Sequence, residues 1–306
     1  MNQNQNAVIF TPRGSQQMVP MTRTPGIPGL FAKLICLSMV KPSHLSAQTI
    51  LENVCFVLKD VELNEKKIDR FKQVCGYDPG IDTVPASFIQ TLFIGVVAKF
   101  IGSSCFPINP MGLIQVGQSL ELRHPLAAGQ RLDLFCSLLD MTQTDRGIHT
   151  RFEFKAKPAR KEEVVWQGTA LYFTRAKNPE KKPKKDRKEE IALAVKETIR
   201  VPENIGRLYA GVSGDYNPHH LYGWTAKFIG FKQPIAHGMW SLARAGASLE
   251  KEFGHPPTLE MEGALKLPIF LPATVTLGYE THGSQAVFEI RDQEKGIPHL
   301  KGSFRF

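Results

Sequence analysis

The chain of 306 residues contains an internal repeat that aligns without a gap at a constant offset of 138 positions. Residues 57–76, VLKDVELNEKKIDRFKQVCG, align in this way with residues 195–214, VKETIRVPENIGRLYAGVSG. Two later pairs of segments also correspond, 124–134 with 267–277 and 166–173 with 300–306. Self-similarity over this length predicts two copies of one fold, joined by duplication and fusion of a single unit.

Each copy shows the same order of predicted elements: an opening strand, a segment leading to a long apolar helix, and then strands separated by turn residues. The helix is predicted over residues 86–101 in the first copy and 237–253 in the second, and the first is apolar on nearly every face, which predicts complete burial. The later strands are predicted at 120–122, 131–139, 149–155 and 164–173, and at 264–268, 274–279, 286–291 and 299–306. The pattern predicts an α+β fold in which an antiparallel sheet wraps around one buried helix in each copy.

Two segments of unusual composition mark the domain boundaries. Residues 1–27 mix Asn, Gln, Pro and Gly without periodicity, which predicts a poorly ordered tail. Residues 177–192 are rich in lysine with interleaved acids, which predicts a charged linker. The first copy is therefore assigned to residues 28–176 and the second to residues 193–306.

Composition excludes several classes of function. A hydrophobic content of 42% with 22% charged residues is typical of a soluble globular protein, and no apolar run is long enough to span a membrane. The linker contributes a net +3 to the net charge of +9, and a solvated linker is favoured there over a docking surface for an acidic carrier protein or an anionic nucleotide tail. No basic motif is interleaved with aromatic residues, so nucleic-acid binding is not expected.

The cysteines and histidines argue against disulfides and metals. The five cysteines are odd in number, widely spaced and without a CxxC pair, which predicts buried free thiols and a cytoplasmic location. No Cys/His cluster has the spacing of metal ligands, and the adjacent His219 and His220 should point their rings apart. We therefore expect no metal site.

The segment from Tyr209 to Met239 is where the copies differ. When Pro234 is matched with Pro85, the first copy lacks eleven residues, since Gly214 to Pro234 is twenty positions and Gly76 to Pro85 is nine. The second copy places Asp215 and His220 on either side of the turn-forming pair Asn217-Pro218, an arrangement that aims both side chains into one cleft. The first copy has Tyr77 at the position of Asp215 and no counterpart of His220. One catalytic site per chain is therefore predicted.

This segment resembles the signature of the MaoC-like, (R)-specific enoyl-CoA hydratases, also called hydratase 2, which have a hotdog fold. Nine residues agree with the signature: Tyr209, Val212, Ser213, Gly214, Asp215, Asn217, Pro218, His220 and Ala226. Residues 234–239, PIAHGM, resemble the next block of the family, whereas His219 stands where the family normally has an aliphatic residue. The resemblance implies a double hotdog, fused as a pseudo-dimer from a degenerate first hotdog and a catalytic second one.

The resemblance also implies a hydro-lyase. Adding water to an enoyl thioester requires a base, an acid and donors for the carbonyl oxygen. By resemblance, Asp215 and His220 bind one water and interconvert trans-2-enoyl and (R)-3-hydroxyacyl thioesters. No cofactor is expected, because the acyl group arrives on coenzyme A or on the phosphopantetheine of an acyl carrier protein.

Four further residues are candidates for substrate binding. Asn217 is expected to pin the loop that carries Asp215, and Gly238 to offer a backbone N–H at the positive end of the central helix. A structural role at the helix N-terminus is favoured for His237 over that of a second base, because nothing else in the sequence supplies it with a partner. Ser213 lacks the His-Asp relay that a nucleophile requires. Four aromatic residues are divided between core and acyl tunnel: Trp224, Phe228, Phe231 and Trp240.

Two alternatives remain open at this stage. One is a hotdog thioesterase, which the Asp-x-Asn-Pro-x-His spacing disfavours; the other is a non-catalytic acyl-thioester-binding subunit of a dehydratase complex. The small residues Gly95 and Ala98 also suggest a hypothesis, that space beside the first buried helix admits a long acyl tail. The resemblance leaves room for a homodimer of such chains.

Overall fold

A computed structural model describes residues 7–24, 36–176 and 192–306 of the chain. The strands are β1 (Val8–Phe10), β2 (Pro12–Met21), β3 (Leu51–Glu62), β4 (Ile114–Leu122), β5 (Arg131–Thr144), β6 (Gly147–Pro158), β7 (Trp166–Arg175), β8 (Val195–Val201), β9 (Leu259–Leu265), β10 (Ala273–His282), β11 (Gln285–Asp292) and β12 (Pro298–Arg305). The helices are α1 (Glu65–Cys75), α2 (Ala86–Leu92), α3 (Ile94–Ile101), α4 (Ile205–Ser213), α5 (Gly223–Phe228) and α6 (Gly238–Glu252), with a 3₁₀ turn at Pro218–His220 and helical residues at 36–40. The predicted linker lies outside the described residues except for residue 192.

The strands join edge to edge in the order β2-β3-β5-β6-β7-β4-β9-β12-β11-β10-β8, and β1 pairs with β5. If the five strands of each half are numbered along the chain, β3 to β7 and β8 to β12 both lie in the spatial order first, third, fourth, fifth, second. The halves meet where β4 runs antiparallel to β9, from the pair Gly117–Ala264 to the pair Leu122–Leu259. The identical order confirms the predicted duplication, and the β4–β9 seam confirms the side-by-side pseudo-dimer.

Each predicted strand overlaps an observed one, and most observed strands are longer; β4, for example, begins at Ile114 instead of residue 120. The strand predicted at 264–268 is displaced, since β9 runs from Leu259 to Leu265. The second central helix agrees closely with its prediction, since α6 runs unbroken from Gly238 to Glu252 and packs against β9, β11 and β12.

The first central helix differs from its prediction, because the single helix expected over residues 86–101 is divided at Phe93 into α2 and α3. The Phe93 N–H donates to Gln90 O at 3.1 Å, which is the tighter 3₁₀ type of turn. The Phe93 ring is fully buried and packs against Phe154 and Trp166, with ring centroids 4.9 and 5.4 Å away. We attribute the break to this packing, which the apolar pattern of the helix does not encode.

The two halves correspond most closely at the start of their central helices. Val84 N–H donates to Leu126 O at 2.8 Å, and Ala236 N–H donates to Ile269 O at 2.9 Å. The next residue caps the helix in each half, Pro85 for α2 and His237 for α6. Pro85 therefore corresponds to His237 and not to Pro234. Gly214 to His237 is twenty-three positions and Gly76 to Pro85 is nine. The segment between the helix-ending glycine and the central helix is therefore fourteen residues longer in the second half, instead of eleven.

The N-terminal segment contains two strands, whereas the sequence predicted a poorly ordered tail. β1 pairs with β5, and β2 runs parallel to β3. Most side chains of β2 are exposed, so the pairing depends on backbone hydrogen bonds, which composition does not report. Thr24 lies against Gly95, where a Cβ would overlap its side chain. The space at Gly95 that the sequence offered to an acyl tail is thus occupied by the chain itself.

All five cysteines are free thiols, of which Cys55, Cys75 and Cys136 are buried. Cys105 is half-buried and Cys36 is exposed, so the prediction of burial is correct for three of the five. Across the described ranges, no helix has the length and apolar character needed to cross a membrane.

Candidate active site

The loop that follows α4 carries the candidate catalytic residues. Gly214 ends α4 with φ of 80°, a left-handed conformation that glycine adopts without steric cost, and its N–H donates to Ala210 O at 2.9 Å. Asp215 comes next, and Asn217 then opens the 3₁₀ turn, with its carbonyl accepting from His220 N–H at 3.0 Å. Residues 215–236, which we call the overhang, contain the segment that has no counterpart in the first half.

The Asp215 carboxylate is held by its sequence neighbours. Its Oδ1 accepts from Asn217 Nδ2 at 2.6 Å and from Asn217 N–H at 3.2 Å. The Asp215 N–H donates to Ser213 Oγ at 3.2 Å. Asn217 and Ser213 therefore both fix Asp215, and Ser213 is buried with its hydroxyl committed to the backbone. This geometry agrees with a pinning role for Asn217 and with the absence of a nucleophilic serine.

His220 is buried, and a hydrogen bond to a backbone carbonyl fixes the tautomer of its imidazole. Its Nδ1 lies 2.8 Å from Ile235 O, and because a carbonyl oxygen only accepts, Nδ1 carries the proton. Nε2 consequently has the free lone pair. The His220 backbone lies directly on α4, where a Cβ at Gly206 would overlap the His220 carbonyl oxygen.

His237 completes the cluster from the other end of the overhang. It caps α6, and its Nε2 lies 2.9 Å from Asp215 O and 3.9 Å from Asp215 Oδ2. Its ring stacks on His220 with centroids 3.6 Å apart, and its buried Nδ1 has no hydrogen-bond partner among the described residues. The sequence supplied His237 with no partner; the fold brings Asp215 to it across twenty-two positions.

The electrostatics keep the imidazoles neutral. Burial and the neighbouring His237 lower the pKa of His220 to about 3, and burial and His220 lower the pKa of His219 to about 4. Burial lowers the pKa of His237 as well. For Asp215, burial acts to raise the pKa, but His237, His220 and the hydrogen bond from Asn217 N–H together lower it. At neutral pH the cluster therefore presents one carboxylate beside neutral imidazoles.

The same cluster has the geometry of a metal site. Asp215, His220 and His237 each offer a ligand atom, and these atoms lie within 4.8 Å of one another. Binding through His237 Nε2 would cost its hydrogen bond to Asp215 O. The His219 and His220 rings do not point apart as expected, because their centroids lie 4.0 Å from one another. Since the fold also brings His237 to His220, the expectation of no metal stays a prediction.

Gly238 is the first residue of α6, where a backbone N–H has no acceptor within the helix. A Cβ at this position would overlap the Leu265 side chain, so close packing also requires glycine here. Both the packing role and the polarising role considered for Gly238 fit this position.

The four aromatic residues considered for the core or an acyl tunnel differ in their burial. Trp240 is buried and donates from Nε1 to Val74 O at 3.1 Å, which makes it a core residue. Phe231 is half-buried, with its ring 5.4 Å from that of His219. Trp224 and Phe228 are 74% and 89% exposed, so they belong to neither the core nor a tunnel.

Three residues that position the site were missed by the sequence analysis. Gly206 lets the turn approach α4, Ile235 supplies the acceptor for His220, and Thr225 Oγ1 donates to Pro218 O at 2.6 Å. For Gly206, the sequence offered one signal, a glycine within residues 195–214 of the repeat. The other two contacts are made by backbone carbonyls, which any residue possesses.

Comparison with known proteins assigns the second half to a family. Residues 175–302 match the family profile described as MaoC like domain. Residues 175–302 of this chain are MaoC-like. The match contains the whole Asp215, His220 and His237 cluster and runs from before β8 into β12, which confirms the resemblance seen in the sequence.

Relatives align beyond the MaoC-like domain. A Mycobacterium tuberculosis protein named 3-hydroxyacyl-thioester dehydratase X is 24% identical over 258 residues, which cover 83% of this chain and 90% of the relative. A Neurospora crassa peroxisomal hydratase-dehydrogenase-epimerase is 29% identical over 105 residues, which cover 34% of this chain and 11% of that protein.

Solved structures show the same fold around the MaoC-like domain. The crystal structure of HtdX from Mycobacterium tuberculosis has a TM-score of 0.71 at 22% identity, covering 82% of this chain and 99% of its own. A MaoC-like dehydratase from Phytophthora capsici has a TM-score of 0.69 at 18% identity, covering 86% and 98%. A further Mycobacterium tuberculosis protein, described as a double hotdog, has a TM-score of 0.52 at 11% identity, covering 81% and 94%. The predicted double-hotdog fold is confirmed.

Proposed function

We propose that the chain is a hydro-lyase that adds water to trans-2-enoyl thioesters and, in reverse, dehydrates (R)-3-hydroxyacyl thioesters. The observation that carries the proposal is the cluster in which a carboxylate oxygen of Asp215 and a ring nitrogen of His220 lie within 4.8 Å of one another. The MaoC-like domain and the relative named for 3-hydroxyacyl-thioester dehydration support it.

The two side chains are prepared for different parts of one proton transfer. His220 is neutral with its Nε2 lone pair available, because Ile235 O fixes the proton on Nδ1. Asp215 is ionised, and its Oδ2 remains for a water because Asn217 occupies Oδ1. One water can donate a hydrogen bond to each of these acceptors, which orients its oxygen toward substrate.

In hydration the water oxygen bonds to C3 while the double bond between C2 and C3 gives its electron pair to C2. The proton that the water loses is held by the Asp215–His220 pair and delivered to C2, so one O–H bond breaks and one C–O and one C–H bond form. The thioester oxygen gains negative charge on the way. Gly238 N–H, at the positive end of α6, is placed to stabilise that charge.

Replacement of His220 tests the proposal. We expect His220→Ala to reduce the hydration rate of crotonyl-CoA about 100-fold or more, with an unchanged circular dichroism spectrum, because a positioned acid/base contributes about 10²–10⁴-fold. The exposed His282 provides the matched control, and His282→Ala should retain full activity. The product should be the (R)-3-hydroxy thioester.

Three outcomes would contradict this assignment. Near-normal turnover of crotonyl-CoA by His220→Ala, or formation of the (S) product, would contradict the proposed mechanism. Release of free thiol from acyl-CoA would indicate a hotdog thioesterase. Thioester binding without turnover, restored by adding a partner protein, would indicate a non-catalytic subunit.

The remaining expectations follow from the same proposal. The chemistry uses only protein side chains and a water, so we propose that the enzyme needs no cofactor beyond the coenzyme A or phosphopantetheine carried by the substrate. The free thiols fit a cytoplasmic location. A homodimer of double-hotdog chains is an additional proposal, which sedimentation equilibrium would test.

A further inference from the structure

The overhang exposes a cluster of apolar side chains. Trp224 and Phe228, one helical turn apart on α5, are 74% and 89% exposed, and Tyr222 and Ile229 beside them are also exposed. Exposed apolar side chains grouped in this way are characteristic of interaction sites, whereas single ones are common on any surface. Together with Lys227 and Lys232, these four residues form what we call the overhang patch.

The overhang patch is held firmly beneath its exposed surface. Ala226 is fully buried under α5, and Thr225 Oγ1 donates to Pro218 O at 2.6 Å in the turn that carries His220. Tyr222 stacks with Trp224 at a centroid distance of 6.4 Å, and the Arg207 guanidinium lies 5.0 Å over the Tyr222 ring. The patch is therefore a preformed surface attached directly to the candidate catalytic turn.

The stretch of chain that carries the overhang patch has charged side chains of one sign. No aspartate or glutamate occurs from Tyr216 through Leu249, although acids make up 29 of the 306 residues. Lys227 and Lys232 are exposed within this acid-free stretch, and Arg207 contributes a third cation through its contact with Tyr222. An aromatic centre with a basic rim complements an acidic protein surface with an apolar spot.

The shape of the overhang patch favours a protein partner over a small molecule. Small ligands occupy concave sites that bury most of their surface, whereas Trp224 and Phe228 project outward. Aromatic and arginine side chains in this arrangement are the typical anchors of protein interfaces.

We propose that the overhang patch is the docking surface for an acidic acyl carrier protein, which delivers its thioester-linked acyl group to Asp215 and His220. This inference rests on the proposed hydratase function and names the substrate carrier for that site. The attachment of α5 to the catalytic turn explains the location, because a docked carrier presents its thioester beside the residues that act on it. A lipid surface is the competing occupant, since membranes also accept aromatic and basic side chains.

The test compares one acyl group on two carriers. Crotonyl-acyl carrier protein and crotonyl-CoA are supplied separately to the wild-type chain, to the double variant Trp224→Ala with Phe228→Ala, and to the charge reversal Lys227→Glu with Lys232→Glu. Matched controls are Ile9→Ala, an equally exposed apolar residue on β1, and Lys251→Glu at the end of α6. None of these residues contacts the proposed reacting atoms.

We expect each double variant to raise KM for the carrier-protein substrate about tenfold or more, with kcat retained, as loss of interface anchors does. KM for crotonyl-CoA should change less than about twofold, and the two controls should leave both values unchanged. Raising the salt concentration should raise KM for the carrier-protein substrate in the wild type and much less in the charge reversal.

Equal effects on both substrates, or no effect on either, would overturn the inference. Binding of the wild type to phosphatidylglycerol vesicles that the variants lose, with unchanged KM for the carrier-protein substrate, would assign the patch to a membrane. Dissociation of a dimer by Trp224→Ala with Phe228→Ala, again with unchanged KM, would assign it to self-association. Failure of the proposed function is a separate result, in which the wild type hydrates neither substrate.

Discussion

The two halves of the molecule follow one path as far as Gly76 and Gly214 and then diverge. Both glycines end their helices with φ of 80°, and their N–H groups donate to carbonyls at equivalent positions, Lys72 and Ala210. The next residue is Tyr77 in the first half and Asp215 in the second. The two halves therefore share this turn and differ in the side chain that follows it.

In the first half this position has become part of the core. Tyr77 is buried, its hydroxyl lies 2.7 Å from Ser87 Oγ, and its ring stacks with Phe71 at 6.1 Å. At the helix start, Pro85 stands where the second half has His237, and Ala86 where it has Gly238. The half that carries the candidate active site therefore differs from the packed half by a few side chains and by fourteen additional residues between the helix-ending glycine and the central helix.

The largest expected effect comes from conservative changes at the two equivalent positions. Asp215→Asn should reduce crotonyl-CoA hydration about 100-fold or more because the carboxylate is lost, whereas Tyr77→Phe should leave the rate within about twofold. Steady-state kinetics on both variants measure the difference. A large loss of activity in Tyr77→Phe would contradict the conclusion that only the second half is catalytic.

Gly206 tests the packing of the overhang on α4. The equivalent position of the first half is Ile68, which is buried where no overhang lies above it. A Cβ at Gly206 would overlap His220 O, so Gly206→Ala should destabilise the fold by about 1–3 kcal/mol and reduce activity at least about tenfold. Urea unfolding and crotonyl-CoA kinetics measure these two effects.

The matched control is Gly211→Ala in the same helix, where the nearest atom to an added Cβ is Arg70 Nη2 at 3.9 Å. It should be neutral or stabilising by up to about 1 kcal/mol, because alanine favours the helix more than glycine does. Equal destabilisation by both substitutions would point to a general effect on α4 instead of the contact with His220.

The pKa values of half-buried Asp215 and buried Glu250 are shifted in opposite directions. Asp215 has a lowered pKa, whereas burial raises the pKa of Glu250, which lies near Tyr77, from 4.5 to about 8. Between pH 4.5 and about 8, the folded chain keeps a proton on Glu250 that the unfolded chain releases. Stability therefore falls as the pH rises through this range. Glu250→Gln should therefore stabilise the protein at pH 7.5 by on the order of 4 kcal/mol, and by much less near pH 4.5. Urea unfolding at both pH values measures the change; a constant difference would contradict the assigned proton.

The smallest expected effect concerns His219. Its pKa is about 4 in the folded chain against 6.5 ordinarily, so the unfolded chain binds a proton between these values and the folded chain does not. Stability should fall as pH decreases through this window, by up to about 1.4 kcal/mol per pH unit for this residue. His219→Leu restores the aliphatic residue and should remove that part of the pH dependence, as urea unfolding from pH 7 to 4.5 would show. A parallel pH dependence in both proteins would exclude this role for His219.

Several elements could be predicted because local sequence patterns encode them. The offset of 138 anticipated the common strand order of the halves, and the residues flanking Asn217-Pro218 anticipated the neighbourhood of Asp215 and His220. The start of α6 at Gly238 lies one residue after the start predicted at residue 237. These features arise from turn residues and from apolar periodicity, whose effects extend over a few neighbouring positions.

Other features depended on contacts between distant segments. The division of the first helix at Phe93 follows from aromatic packing against β6 and β7, and the pairing of β1 and β2 follows from backbone hydrogen bonds that polar side chains do not reveal. The match of Pro85 with Pro234 was wrong because two prolines resemble one another in sequence but only one of them caps a helix.

The sequence by itself determined that one fold occurs twice and that the second copy contains the catalytic residue types. The tertiary structure decided that His237 stacks on His220 and bonds to Asp215, that Ile235 sets the tautomer of His220, and that Trp224 and Phe228 face outward. The reason is physical: periodicity and turn chemistry are local properties of a chain, whereas burial, tautomer and exposure are set by which distant segments the fold brings together.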